Sequence, residues 1–152
     1  MSENNSGTPF SHDAFLATSV EAAMSTRPML CPPGDYTARI AELKTRALDD
    51  GRVILAVSFE VLDDAVKAAT GRQKITVKRD IWLDIQDGQL ETGEGKNIDL
   101  GKLRAAVGQN QSGQPWQPMM LVGTTCRISV VHEPGKNSDD IYDRVKKFAA
   151  LS

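Results

Sequence analysis

The chain has 152 residues, 40% of them hydrophobic and 25% charged, with a formal net charge of −2. That composition supplies apolar surface for one core and one folded unit, and no run approaches the roughly 18–20 apolar residues of a membrane-spanning helix. A mildly acidic balance argues against a protein that coats duplex nucleic acid, which rewards a dense positive field, while leaving room for a single-strand binder with a local basic groove.

Residues 1–10 are small and polar and read as a disordered start. They lack the basic head and apolar middle of a secretory signal, so a cytoplasmic protein is expected. In residues 11–24, Leu16, Val20 and Ala23 or Met24 recur at helical spacing beside Phe15, with Ser11 available as a cap. This predicts a short amphipathic helix that packs one stripe on the domain or, as an arm against a second copy, makes a homodimer. Arg27-Pro28 ends it, and Cys31-Pro32-Pro33-Gly34 is a stiff link, so residues 11–30 form a helical arm and 31–152 the domain. Cys31, Cys126, His12 and His132 show no ligand spacing; reduced thiols, no metal and no cofactor are expected.

Residues 35–46, carrying Tyr36, Ile40 and Leu43, predict a first strand that ends near the Asp50-Gly51 turn signal. Residues 52–62 alternate strictly, with Val53, Leu55, Val57, Phe59 and Val61 on one face and Ile54, Ala56, Ser58 and Glu60 on the other. After a loop or short helical turn at 63–71, residues 72–85 make a third strand. It places Val77, Arg79, Ile81, Leu83 and Ile85 on one side and Lys74, Thr76, Lys78, Asp80, Trp82 and Asp84 on the other. Residues 86–96 read as a glycine-containing loop, and Asn97 as the cap of a helix with Leu100, Leu103 and Val107 on one stripe and Gly108 at its end. Trp116, between two prolines, reads as a core plug or helix anchor. Residues 121–132 form a fourth strand, with Cys126, Ile128 and Val130 opposite Arg127, Ser129 and Val131. Beyond a polar turn, residues 141–148 form a fifth, on which Tyr142, Arg144, Lys146 and Phe148 share a face.

Mainly β, with five antiparallel strands and one helix between the third and fourth, is the element order of the oligonucleotide-binding (OB) fold, a small barrel that presents its second and third strands to ligand. The residues also resemble a known family, the single-stranded DNA-binding proteins of tailed bacteriophages that have this fold. The resemblance rests on Phe15-Leu16-Ala17-Thr18, Pro33-Gly34-Asp35-Tyr36-Thr37-Ala38, the helix at 99–108, residues 123–131 and Ile141-Tyr142-Asp143-Arg144-Val145-Lys146-Lys147-Phe148. It implies a role in phage DNA replication or recombination, with a recombinase or replication protein as partner. The chain stops at Ala149-Ala150-Leu151-Ser152, without the acidic tail of the bacterial single-strand binders, so recruitment of host partners through such a tail is not implied.

Single strands are held by cations spaced along a groove and by flat rings that stack bases. Lys74, Lys78 and Trp82 share the outer face of the third strand; Tyr142, Arg144 and Lys146 repeat the pattern on the fifth, and Arg127 lies on the fourth. Arg46 and Arg52 flank the turn between the first two strands, and Lys136 sits in the turn between the last two, the usual rims of the groove. Asp80, Asp84 and Asp87 invite a metal-dependent nuclease, yet aspartates interleaved with lysines on a strand more often form ion pairs, and a binding protein is expected instead of an enzyme. Gly93-Glu94-Gly95-Lys96 lacks the spacing of a phosphate loop. The competing reading is a phage structural or assembly protein; a contiguous basic strip favours DNA, and scattered cations beside a broad apolar patch favour protein contacts.

Overall fold

Strict alternation along β2 (Val53–Val61) determines which side of the sheet becomes the interior: Leu55, Val57, Phe59 and Val61 are buried, each separated by a half-exposed or outward residue. The structure, a computed structural model, describes residues 9–135 and 140–151. β2 lies between β1 (Gly34–Ala47) and β3 (Thr76–Leu83). β1 pairs on its other side with β6 (Thr125–Pro134), and β6 pairs with β7 (Ile141–Ala149), giving a five-stranded sheet in the order β3-β2-β1-β6-β7 with every pairing antiparallel. Between β3 and β6 come a two-stranded hairpin, β4 (Ile85–Gln86) with β5 (Gln89–Leu90), and a helix at Ile98–Ala106. The expected order of five main strands with a helix between the third and fourth is therefore present.

The coiled sheet encloses one core of Ile40, Val57, Phe59, Val77, Ile81, Ile128, Val130 and Val145, with the Ile98–Ala106 helix adding Leu100 and Leu103. Burying each such side chain is worth roughly 1.5–3 kcal/mol. Phe59 stacks on Phe148 with ring centroids 6.3 Å apart. Cys31 and Cys126 are buried free thiols; burial raises both to about 11, with the Asp143 carboxylate adding to the effect at Cys31, so neither is a ready nucleophile.

Several sequence expectations change or are resolved. The arm is not one helix: α1 covers only His12–Leu16, capped by Ser11, and Phe15, Leu16, Val20 and Met24 stay exposed instead of packing on the domain. Five residues cannot offset the cost of helix nucleation without a surface to pack on. The region 63–71, expected as a loop or a short helical turn, takes the helical alternative as α2 (Asp64–Thr70), because Asp63 accepts from the Ala65 N–H at 2.9 Å and Gly71, at φ 67°, supplies the left-handed stop. Residues 86–96 hold the β4–β5 hairpin, which turns on Asp87 and Gly88, both at positive φ. Asn97 does precede α3 (Ile98–Ala106), but its side chain does not cap it. It takes the Asp84 N–H at 2.8 Å and donates to the Asp84 and Glu91 carbonyls at 3.0 and 2.8 Å, clasping both ends of the hairpin excursion. The inward stripe of α3 accordingly runs Leu100, Leu103, Ala106, with Val107 only half-buried.

The last difference concerns closure and face. Among the described residues β3 and β7 are the two edges of the hydrogen-bonded sheet, and no ladder joins them. They are in contact nonetheless, and the side chain of Arg79 spans the seam: Nη1 donates to the carbonyls of Lys146 (2.7 Å) and Val145 (3.3 Å), and Nη2 to Asp99 Oδ2 (3.2 Å). A register shift opposite Ser129 and Val130 makes Lys146 the extra residue of a bulge. Phe148 is thereby turned inward onto Phe59, so Tyr142, Arg144, Lys146 and Phe148 do not share one face.

Candidate nucleic-acid interface

Antiparallel register aligns the outward residues of β1, β2 and β3 in cross-strand rows: Arg46–Ile54–Trp82, Lys44–Ala56–Asp80, Glu42–Ser58–Lys78 and Arg39–Glu60–Thr76. A register shift between Ile40 and Glu42 puts Glu42, Lys44 and Arg46 in this phase. Ile54, although outward, is 3% exposed and stands apart from the core cluster; the long side chains of Arg46 and Trp82 on either side account for its burial. This apolar footing holds Trp82, which is 45% exposed, at the surface.

The face is less positive than its lysines and arginines suggest. Arg46 pairs with Asp80 at 3.2 Å, Arg39 with Glu60 at 2.6 Å and Lys44 with Glu42 at 3.1 Å. Arg52 lies with its guanidinium 4.5 Å from the Trp82 ring centroid, steered there by Asp50, which accepts from Arg52 Nε at 2.6 Å and from the Arg52 N–H at 3.0 Å. That backbone N–H, followed by the side chain's hydrogen bond and charge, lowers the Asp50 carboxyl below its ordinary value. At Glu60 the hydrogen bond from Arg39 dominates a similar lowering, with the charges of Arg39, Lys74 and Lys67 in support. Lys78 has no ion pair among the described residues; Lys74 lies just ahead of β3 and is exposed. Lys78 and Trp82 remain the accessible cation and ring of the face, with Lys74 at its margin.

On the other side of the seam the outer surface of β7 carries Tyr142 and Arg144, both exposed. Arg79 on β3 meets the carbonyls of Val145 and Lys146, so the same level of the two strands lies side by side, and Lys78 and Arg144, each one residue earlier, flank the seam. Arg144 is engaged by Glu133 at 2.8 Å, and the Tyr142 ring is covered by Arg27, whose Cζ is 4.7 Å from its centroid. Lys146 is exposed at the bulge. Arg127 points outward from β6, paired in register with Thr37 and Ala149, away from the Trp82 row. Lys136 lies outside the described residues. The structure thus brings Arg46, Arg52, Lys78 and Trp82 together, sets Arg144 and Tyr142 across the seam, and separates Arg127.

Of the carboxylates that suggest a nuclease, Asp80 is engaged by Arg46 and Asp84 by the Asn97 N–H at 2.7 Å, while Asp87 sits in the β4–β5 turn. No group of metal-ligating side chains occurs among the described residues. The sequence reading missed Arg79. Its signal was there, an arginine in the apolar phase of a strand between Val77 and Ile81, since an inward cation must find partners or be excluded. It also missed Arg39, which meets Glu60 only through the β1–β2 register, and Lys44, which pairs with Glu42 two residues earlier on its own strand. No protein-family model and no curated protein matches the chain.

Proposed function

We propose that the chain binds single-stranded DNA with little sequence preference, on an OB fold opened at the β3–β7 seam, in phage DNA replication or recombination. The observation that carries this reading is the pairing of a half-exposed Trp82, supported by Ile54 and stacked by Arg52, with Lys78, which has no ion pair among the described residues, on the same outward strand face. A ring braced in this way offers a base-stacking surface worth about 1–3 kcal/mol per base, and an arginine stacked on it continues the column. The strand order agrees with the OB fold, in which this three-strand face meets the ligand. Exposed apolar residues along the arm favour a second reading, a protein-binding or assembly component.

Intrinsic fluorescence distinguishes them. A Trp116→Phe variant leaves Trp82 as the only tryptophan, and titration with oligothymidine quenches it at low salt and less so at high salt. Unchanged emission at both salt concentrations overturns the proposal.

A further inference from the structure

We infer that the N-terminal arm of one copy docks, reciprocally, into a cleft on a second copy of the chain, making an arm-exchanged dimer. This rests on surfaces separate from the candidate nucleic-acid face.

The arm leaves the domain at one end and the cleft opens at the other. Its root is fixed by Arg27 to Asp140 (3.3 Å), by Arg72 donating to the Met29 carbonyl (3.1 Å) and by the Cys31 N–H donating to Asp143 (2.9 Å), all near the starts of β3 and β7. The cleft, about 720 Å³, lies beyond the far end of β3, between β5, the outer side of α3 and the loop carrying Trp116. Eight residues of β3, at about 3.3 Å each, separate the two ends by roughly 26 Å. Before Arg27 the hydrogen bonds of the described arm are all local, and Phe10, Phe15, Leu16, Val20, Met24 and Met29 are 57–78% exposed. The arm does not occupy its own chain's cleft.

Charge and apolar area both fit arm to cleft. No lysine or arginine precedes Arg27, while Glu3, Asp13 and Glu21 do, so the arm is an acidic apolar segment. The cleft presents Lys96, Lys102 and Arg104 against Glu91 alone, over a floor that includes Leu100 and Trp116. Its wall is pre-set: Arg104 stacks 4.1 Å over Trp116 and donates to the Gln109 carbonyl, and Trp116 Nε1 donates to Gln109 Oε1 at 2.8 Å. The paired Phe10 and Phe15 rings, centroids 5.5 Å apart, form an aromatic knob for such a site. At about 100 Å² for each of the five exposed apolar side chains ahead of the root, two arms bury on the order of 1,000 Å², and the cleft walls they cover bring the total above the lower bound of about 1,200 Å² for a stable interface.

Sedimentation of the full chain over a range of concentrations tests this. A dimer is expected that Phe15→Asp converts to monomer, with the far-ultraviolet circular dichroism unchanged because Phe15 is exposed. Lys102→Glu weakens the dimer several-fold, and Asp13→Lys on that background restores it. A second measurement mixes Phe15→Cys with Lys102→Cys chains under oxidation, where the buried Cys31 and Cys126 stay silent and a cross-link between chains is expected. A monomer at every concentration overturns the inference, as does the absence of a cross-link between the Phe15→Cys and Lys102→Cys chains. Loss of oligothymidine binding has no bearing on either measurement.

Discussion

Arginine does opposite work in two regions of this molecule. At the seam, Arg79 has a side chain only 12% exposed and spends four contacts inward: two β7 carbonyls, Asp99 and the Phe148 ring, 5.6 Å from its Cζ. On the outer face, Arg46 and Arg52 are more than half exposed and each leans on one carboxylate. Pairs of the second kind are worth about 0–1 kcal/mol, whereas a buried cation removed from its partners strands groups that water cannot reach. Burial, not residue type, separates the arginine that holds the fold from those free to be borrowed by a ligand.

The comparison is most severely tested at the seam. Arg79→Met should lower unfolding free energy by about 2–4 kcal/mol, because the Val145 and Lys146 carbonyls lose their donor. Urea denaturation reads this as a lower midpoint at similar slope, and a change below about 0.5 kcal/mol would mean the seam does not depend on it. Trp82→Ala should reverse the pattern, weakening oligothymidine binding by about 1–3 kcal/mol in an anisotropy titration. Its stability should fall less than that of Arg79→Met, since the ring covers little beyond Ile54. Lys78→Ala should leave stability within about 0.5 kcal/mol and flatten the plot of log affinity against log salt by about 0.7, the share of one single-strand phosphate. An unchanged slope would remove Lys78 from the phosphate track.

The smallest effect is at Glu60. Its carboxyl is lowered below the ordinary value of 4.5 in the folded chain, chiefly by Arg39. Its contribution is therefore full above that value and drains away as pH falls through the folded pKa. Glu60→Gln should cost slightly at neutral pH and reduce the acid-side loss of stability; urea midpoints measured from about pH 6 to about pH 3 will show a shallower decline. An identical pH profile would mean that the Arg39–Glu60 pair makes no net contribution.

What was legible beforehand follows the same division. Five strands, the α3 stripe of Leu100 and Leu103, and the outward set of Lys78 and Trp82 were readable because period-2 and period-3.6 patterns follow directly from backbone geometry. Phase changes were not, since a bulge adds one residue without any marker in composition; the one at Lys146 moved Phe148 from the outer face to the core. Nor was neutralisation. Asp80 is two residues from Lys78 and two from Trp82 in the chain, yet it answers to Arg46, two strands away. The arm's helical spacing was real, but spacing names a face without saying what will cover it.

The Asn97 clasp has a practical corollary. By tying Asp84 to Asn97 and Glu91 through backbone and side-chain bonds at 2.7–3.0 Å, the fold seals the base of the β4–β5 excursion before it leaves the surface. Foreign sequence spliced between Asp87 and Gly88, at the tip of that sealed loop, adds little closure entropy and touches no core residue, which makes this hairpin a ready port for an epitope or a fluorescent label.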